Sequence, residues 1–317
     1  MIGNTPLVEL DFGTPARVYA KLEYCNPSGS IKDRSAQYMI SVAEQRGDIH
    51  PGGTIIEASS GNQGIATAMI ARIKGYNTLI TVTDKVSQEK QKTLAAYGSK
   101  MISYPDTQSL HDPRSYHRKA QELAQSMPNS YMLNQYYNPD NVAAHYYGIG
   151  PEIWQQTQGR ITHLCAGAGS GGTISGAGRY LKENNSNITI LGVDSPYSYR
   201  STGGNPQPYI LEGASVEYES PLIDYDVIDT FLLAYDTETI SMLHWLPRHH
   251  GIFVGPAGAA VASQAYAYAR HLTSDDTLVM IFGDSGRAYV SKSYMQETQT
   301  HHTPYVDHHS HAEETRS

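Results

Sequence analysis

Apolar positions along this chain come in short runs of strand length that alternate with longer stretches of helical spacing. Val18-Tyr19-Ala20 opens an extended segment, after which Ala36, Met39, Ile40 and Ala43 recur at i, i+3, i+4 and i+7 and predict a helix with one buried face. Pro51-Gly52-Gly53 turns the chain into a strand at Thr54–Glu57. From Ile65 through Ile73 only Thr67 and Arg72 interrupt an apolar run too long for an average strand, so a buried helix is expected. Leu79–Val82 as strand, a polar helix over Ser87–Tyr97 and Met101–Ser103 as strand continue the alternation. A second series follows with Tyr131–Leu133, a helix over 141–158, strands at Leu164–Ala166 and Ile188–Val193, an alanine-rich helix after Gly258, and a strand at Leu278–Phe282. Repetition of this kind predicts an α/β fold of mainly parallel sheets covered by helices. The Asn/Ser/Gly/Pro-rich stretch from Ser195 to Pro208 reads as a long loop, and residues 300–317 as a flexible tail.

Composition narrows the classes of function. A length of 317 residues allows two packed domains or one large one, and 39% hydrophobic residues can supply their cores. No apolar run reaches membrane-spanning length and the first residues carry no basic or apolar leader, so a cytoplasmic protein without a membrane partner is expected. A net charge of −8 without a Lys/Arg cluster argues against nucleic acid. Cys25 and Cys165 are too few for a disulfide scaffold and read as ordinary free thiols. His301, His302, His308, His309 and His311 lack an accompanying carboxylate shell and predict a solvated tail, with no metal site. The 24 tyrosines, against four phenylalanines, are scattered and suit core edges, an oligomer interface or substrate walls alike.

Three segments carry candidate chemistry. Lys32 follows the small residues Ser28-Gly29-Ser30 at a predicted helix start. The helix dipole there disfavours an ammonium, and a neutral lysine can form a Schiff base with an aldehyde cofactor; the plainer alternative is an exposed cation beside Asp33 and Arg34. Gly167-Ala168-Gly169-Ser170-Gly171-Gly172-Thr173 joins a strand to a helix and offers backbone N–H groups and two hydroxyls to a phosphate. The same run satisfies G-x-G-x-x-G, with Asp194 at ribose-binding distance, so a nicotinamide-dependent oxidoreductase stays open from this segment alone. Ser59-Ser60-Gly61-Asn62-Gln63 and Gly283-Asp284-Ser285-Gly286 are further strand-to-helix loops, which in open α/β folds converge at strand ends. A noncatalytic α/β interaction protein would use all these loops as connections only.

The run from Lys21 through Arg34, together with Ile2-Gly3-Asn4-Thr5-Pro6-Leu7, resembles the fold-type II pyridoxal-phosphate enzymes, in particular the cysteine synthase and cystathionine β-synthase family. The resemblance extends to about Tyr289 and implies pyridoxal 5'-phosphate as cofactor. It implies that Lys32 carries the Schiff base and moves protons, that Gly169, Ser170, Gly171, Gly172 and Thr173 cradle the phosphate, that Asn62 meets the cofactor's phenolic oxygen and that Ser285 meets its pyridine nitrogen. Ser59, Ser60, Gly61, Gln63 and Gln135 would bind the substrate carboxylate. A serine rather than a carboxylate at the ring nitrogen suits β-elimination and replacement. The implied reaction joins serine or an O-activated serine to sulfide or homocysteine, and the implied assembly is a homodimer. It also implies a larger cofactor-binding domain of residues 1–34 and 141–299 and a smaller substrate-loop domain of 35–140. Ala20–Tyr24 and Ala68–Gly75 are similar instead to 2,3-diaminopropionate synthases, which implies O-phosphoserine and glutamate as the alternative pair. Ser59 and Gln63 stand where the family usually has threonines, and Ser215 where it usually has glycine, so the substrate rim departs from the pattern.

Overall fold

A computed structural model describes residues 1–296 except Ser60, Lys85, Gln108 and Leu211; the expected tail lies outside the described residues. The chain opens with β1 (Leu7–Leu10) and β2 (Arg17–Leu22), then α1 (Lys32–Arg46), β3 (Thr54–Ala58), α2 (Asn62–Ile73), β4 (Asn77–Thr83), α3 (Gln88–Ala96) and β5 (Lys100–Tyr104). It continues through α4 (Tyr116–Ser126), β6 (Ser130–Met132), α5 (Asp140–Tyr146), α6 (Ile149–Gln156), β7 (His163–Gly167), α7 (Gly172–Asn184) and β8 (Thr189–Asp194). Last come β9 (Thr230–Leu233), α8 (Asp236–His250), α9 (Pro256–Ala269) and β10 (Thr277–Phe282).

The strands form two sheets, ordered β1-β2-β10-β7-β8-β9 and β5-β4-β3-β6. Every pairing is parallel except β1 with β2, as the alternating pattern predicts. All six residues of β10 are buried, which is what a central strand covered by helices on both faces requires. The predicted face of α1 is realised: Ala36, Met39, Ile40 and Ala43 are fully buried in a core with Ile55, Ala66 and Ile70. The helix stops at Gly47, whose positive φ of 77° closes the last turn.

Two expectations change. The helix expected over 141–158 is two helices broken at Gly148, where a side chain would come within 2.6 Å of the Ala144 carbonyl. Ile73, read as the end of a buried run, is 76% exposed; burial along α2 ends at Ala71. The helices α4 and α8 were not among the predicted elements, although α8 buries Thr239, Met242, Leu243 and Leu246 at helical spacing; α4 is set by Ser115, whose hydroxyl accepts the Arg118 N–H.

The start of α1 is held by a buried ionic cluster rather than by a surface pair. Arg34 Nε donates to Glu23 Oε2 and its Nη1 to Glu152 Oε1, both at 2.6 Å, and Lys21 Nζ donates to Glu152 Oε2 at 2.7 Å. Asp33 accepts from the Ser28 N–H at 2.8 Å and from the Ser28 hydroxyl, closing the turn that precedes the helix. Removing one member leaves its partner's charge buried and unpaired. Arg34→Ala is therefore expected to lower the unfolding free energy by about 3–5 kcal/mol in urea titrations, well above the effect of an exposed pair.

Candidate active site

The C-terminal ends of β2, β3, β7 and β10 all lead into loops that face one another across the seam between the two sheets. Lys32, the first residue of α1, lines both a chamber of about 340 Å³ and a narrower one of about 70 Å³. The wider chamber is also walled by Ser59, Gly61, Asn62, Gln63, Gln135, Gly169 and Ser170. The narrower one adds Gly171, Thr173 and Asp284. Of the predicted residues that are described, Gly172 and Ser285 are not on these walls; Ser60 lies outside the described residues. Gly172 packs against the Asn141 side chain, where a Cβ would meet Oδ1 at 2.3 Å. Ser285 donates to the Phe253 carbonyl at 3.4 Å and accepts the Arg287 N–H at 3.3 Å.

Each loop is built so that backbone can approach the chamber. Gly171 caps α7 at a φ of +87°, and a side chain there would lie 2.7 Å from the Ile223 backbone nitrogen. The N–H groups of the first turn of α7 have no intrahelical acceptor, and Gly171 and Thr173 from this helix start line the narrow chamber. The Thr173 hydroxyl and His145 Nε2 are 3.3 Å apart. At the start of α2, Asn62 Nδ2 donates to Asp284 Oδ2 at 2.7 Å, so the two sheet units touch through a residue from each. Gln63 is buried, and its Oε1 accepts from the Ser35 hydroxyl at 2.8 Å, which ties the substitution at this position to α1. Ser215 is likewise occupied, accepting the Ser195 N–H at 2.7 Å.

Asp194, which the G-x-G-x-x-G reading offered to a ribose, is fully buried and accepts from the hydroxyls of Ser198 and Ser201. It is consumed by folding the long loop.

Burial works against the charged form of the Lys32 amine and lowers its pKa, opposed by the nearby charges of Asp284 and Glu57. Sequence reasoning passed over both carboxylates. Asp284 lies inside the Gly283–Gly286 loop but beside the residue chosen there; its Oδ2 also accepts from the Tyr289 hydroxyl at 2.5 Å, and its Oδ1 has no partner among the described residues. Glu57 is the fourth residue of β3, between the buried Ile56 and Ala58, so a charged residue inside a buried strand was the available signal. Tyr116, Tyr136, Tyr209 and Tyr218 also line the wider chamber, placing part of the tyrosine excess at the site. Lys90 on α3 and Glu212 meet at 3.2 Å on its wall, and Lys292 reaches Glu212 at 2.6 Å.

Burial pushes the Glu57 carboxyl up to about 8, although the Asn134 N–H donates to it at 2.9 Å and Lys32 favours its charge. The folded protein thus holds a proton that the unfolded chain releases near pH 4.3, so the associated stability is complete at low pH and is lost as pH rises through about 8. Glu57→Gln should abolish that loss: in urea titrations the variant gains stability relative to the parent between about pH 5 and 8.5.

Comparison with known proteins agrees with this geometry. The family model described as "Pyridoxal-phosphate dependent enzyme" matches residues 1–284. The cystathionine beta-synthase of Apis mellifera is 40% identical over 310 aligned residues, and the match covers 94% of this chain; the chain spans 62% of that relative's length. A cysteine synthase of Helicobacter pylori is 38% identical over 296 residues, covering 92% of this chain and 95% of that protein. The crystal structure of an O-acetylserine dependent cystathionine beta-synthase from Helicobacter pylori superposes with a TM-score of 0.86 at 38% identity, covering 93% of this chain and 97% of the other. Shared sequence over nearly the whole chain, on a shared fold, makes this protein a member of the pyridoxal-phosphate dependent enzymes.

Proposed function

We propose that the chain catalyses β-replacement on serine or an O-activated serine, with sulfide or homocysteine as nucleophile, yielding cysteine or cystathionine. The observation that carries this reading is the convergence on one cavity of a partly desolvated lysine amine, the amide-rich start of α2 and the glycine-lined start of α7. Names of the relatives support the same class of reaction.

The residues present fit a phosphorylated pyridine aldehyde. The α7 N-terminus with Ser170 and Thr173 would hold the phosphate and Asn62 the ring hydroxyl, while the Lys32 amine stands within the same walls; Ser285, off those walls, would reach the ring nitrogen only by giving up the Phe253 carbonyl. The unpartnered Asp284 Oδ1 marks unfilled polar capacity on that wall. When bound, this group supplies an aldehyde that captures amines and a ring that stabilises negative charge at an adjacent carbon. Lys32 Nζ, whose charged form burial disfavours, takes the proton from the substrate Cα. Ser59, Gly61, Gln63 and Gln135, with Ser60 of the same loop, orient the substrate carboxylate over the α2 N-terminus. Enclosure by the tyrosines excludes water while the leaving group departs from Cβ and the nucleophile adds there. On this reading the two sheets are the cores of the larger domain (1–34 and 141–299) and the smaller one (35–140), and the enzyme is a cytoplasmic homodimer.

Borohydride reduction followed by peptide mass spectrometry is expected to place a phosphopyridoxyl group on Lys32, and an unmodified Lys32 in cofactor-saturated protein would overturn the assignment. Lys32→Ala should lower turnover by about 10³-fold or more while retaining noncovalent cofactor. Thr173→Val should weaken cofactor binding about tenfold, read by equilibrium dialysis, as expected for losing one hydrogen bond to a charged group. Turnover of purified protein across serine, O-acetylserine and O-phosphoserine with sulfide, homocysteine or glutamate selects the pair; inactivity with every amino-acid donor would refute β-replacement.

A further inference from the structure

The loop at the start of α7 is backed by a helix whose polar side chains the steps above leave unused. Helix α5 packs on the first turns of α7 with almost no space between them: a Cβ at Gly172 would run into Asn141 Oδ1, and one at Gly176 into the Val142 carbonyl. Asn141 and His145, four residues apart and so on one face of α5, are both fully buried there. Each reaches one of the two hydroxyls of the loop. Asn141 Nδ2 donates to Ser170 Oγ at 3.4 Å and to the Gln135 carbonyl at 2.7 Å. His145 Nε2 lies 3.3 Å from Thr173 Oγ1. The other polar atoms of the pair, Asn141 Oδ1 and His145 Nδ1, are buried and have no partner among the described residues. Burying such atoms costs stability that an apolar pair of the same size would not lose, so the contacts made to the two hydroxyls have to offset it.

We infer that Asn141 and His145 are positioning residues for the cofactor's phosphate: each donates an N–H to a loop hydroxyl from beneath, which leaves that hydroxyl's own proton free to turn to the phosphate. The inference rests on the phosphate seat proposed above and not on the reaction assigned to the enzyme. A hydroxyl has one proton and two lone pairs, so a donor behind it fixes which way the proton goes. At Asn141 the direction is set, because the bond from Nδ2 to the Gln135 carbonyl fixes which end of the amide faces Ser170. At His145 the anion decides it. A hydroxyl bonded to phosphate is charge-assisted and about twice as strong as one bonded to a neutral ring, so the ring proton belongs on Nε2. Burial, with Lys32 and Arg34 nearby, holds the imidazole neutral, with a single proton to place. By holding Ser170 and the Gln135 backbone at once, Asn141 also ties the phosphate seat to a residue of the substrate wall.

Equilibrium dialysis of the full chain against pyridoxal phosphate and against pyridoxal, which keeps the ring and aldehyde but lacks the phosphate, tests this. His145→Phe and Asn141→Leu should each weaken pyridoxal phosphate about three- to tenfold and pyridoxal by less than about twofold, the scale of one misdirected hydrogen bond to a charged group. Added to Thr173→Val, His145→Phe should cost less than about twofold more, because the hydroxyl it acts through is gone, and Asn141→Leu added to Ser170→Ala should behave alike. His145→Gln, whose amide can donate again, should bind pyridoxal phosphate within about twofold of the parent. Neutron diffraction from crystals of the holoenzyme needs no variant to fold, and should show deuterium on His145 Nε2 with the Thr173 hydroxyl deuterium aimed at the phosphate. A bare Nε2, equal losses with both ligands, or additive losses in the double variants would overturn the inference. If Thr173→Val and Ser170→Ala leave the preference for pyridoxal phosphate over pyridoxal unchanged, the phosphate seat falls with it. If they reduce that preference while His145→Phe and Asn141→Leu do not, the inference falls alone.

Discussion

Everything at the site depends on holding a lysine amine in a partly desolvated cavity at the start of a helix. Burial disfavours the charged form of Lys32, and the same position at the head of α1 adds an unfavourable dipole. Such a residue stays in place only if the backbone beneath it cannot relax towards solvent. Two residues further on, Arg34 is clamped between Glu23 at the end of β2 and Glu152 on α6, and Glu152 also takes Lys21 from within β2. Two cations and two anions thus neutralise one another while joining a strand and two helices. The turn is closed from the other side by Asp33 on Ser28.

The second constraint is the seam itself. A site between two sheets needs contacts that bring the loops together without filling the space between them. Asn62 on Asp284 and Lys90 on Glu212 do this with polar side chains at the wall, leaving the chamber open. Glycines do the rest: Gly169 sits so close to the Gly213 carbonyl, 2.7 Å from where a Cβ would be, that any side chain would force the phosphate-type loop away. Polar contacts across the seam and close backbone approach within each half are complementary solutions to one geometric demand.

Much of this was legible from residue order. The alternation of short apolar runs with helical spacing gave away the parallel sheets, and the loops after Ala58, Gly167 and Phe282 were recognisable as strand-to-helix turns rich in small and polar residues. The lysine signature pointed to its cofactor before any coordinates. Helix α4 was missed although Tyr116, Ala120, Leu123 and Met127 recur at helical spacing and pack against one core, because its fully buried residues are few and polar residues separate them. Arg34 was ambiguous for a related reason: a charged residue next to a helix start looks exposed until its two glutamates, one 118 residues away, are brought to it.

What the sequence determined by itself is therefore local and chemical: the order of elements, the identity of the loops and the amine expected to meet an aldehyde. Only the tertiary structure decided which side chains share a wall. Asp284 rather than its neighbour faces the narrow chamber, Glu57 retains its proton near neutrality, and tyrosines from distant segments line one chamber, while Asp194 turns inward to hold a loop. Periodicity and propensity act over a few residues, whereas desolvation and hydrogen bonding across a cavity depend on contacts between residues far apart in the chain.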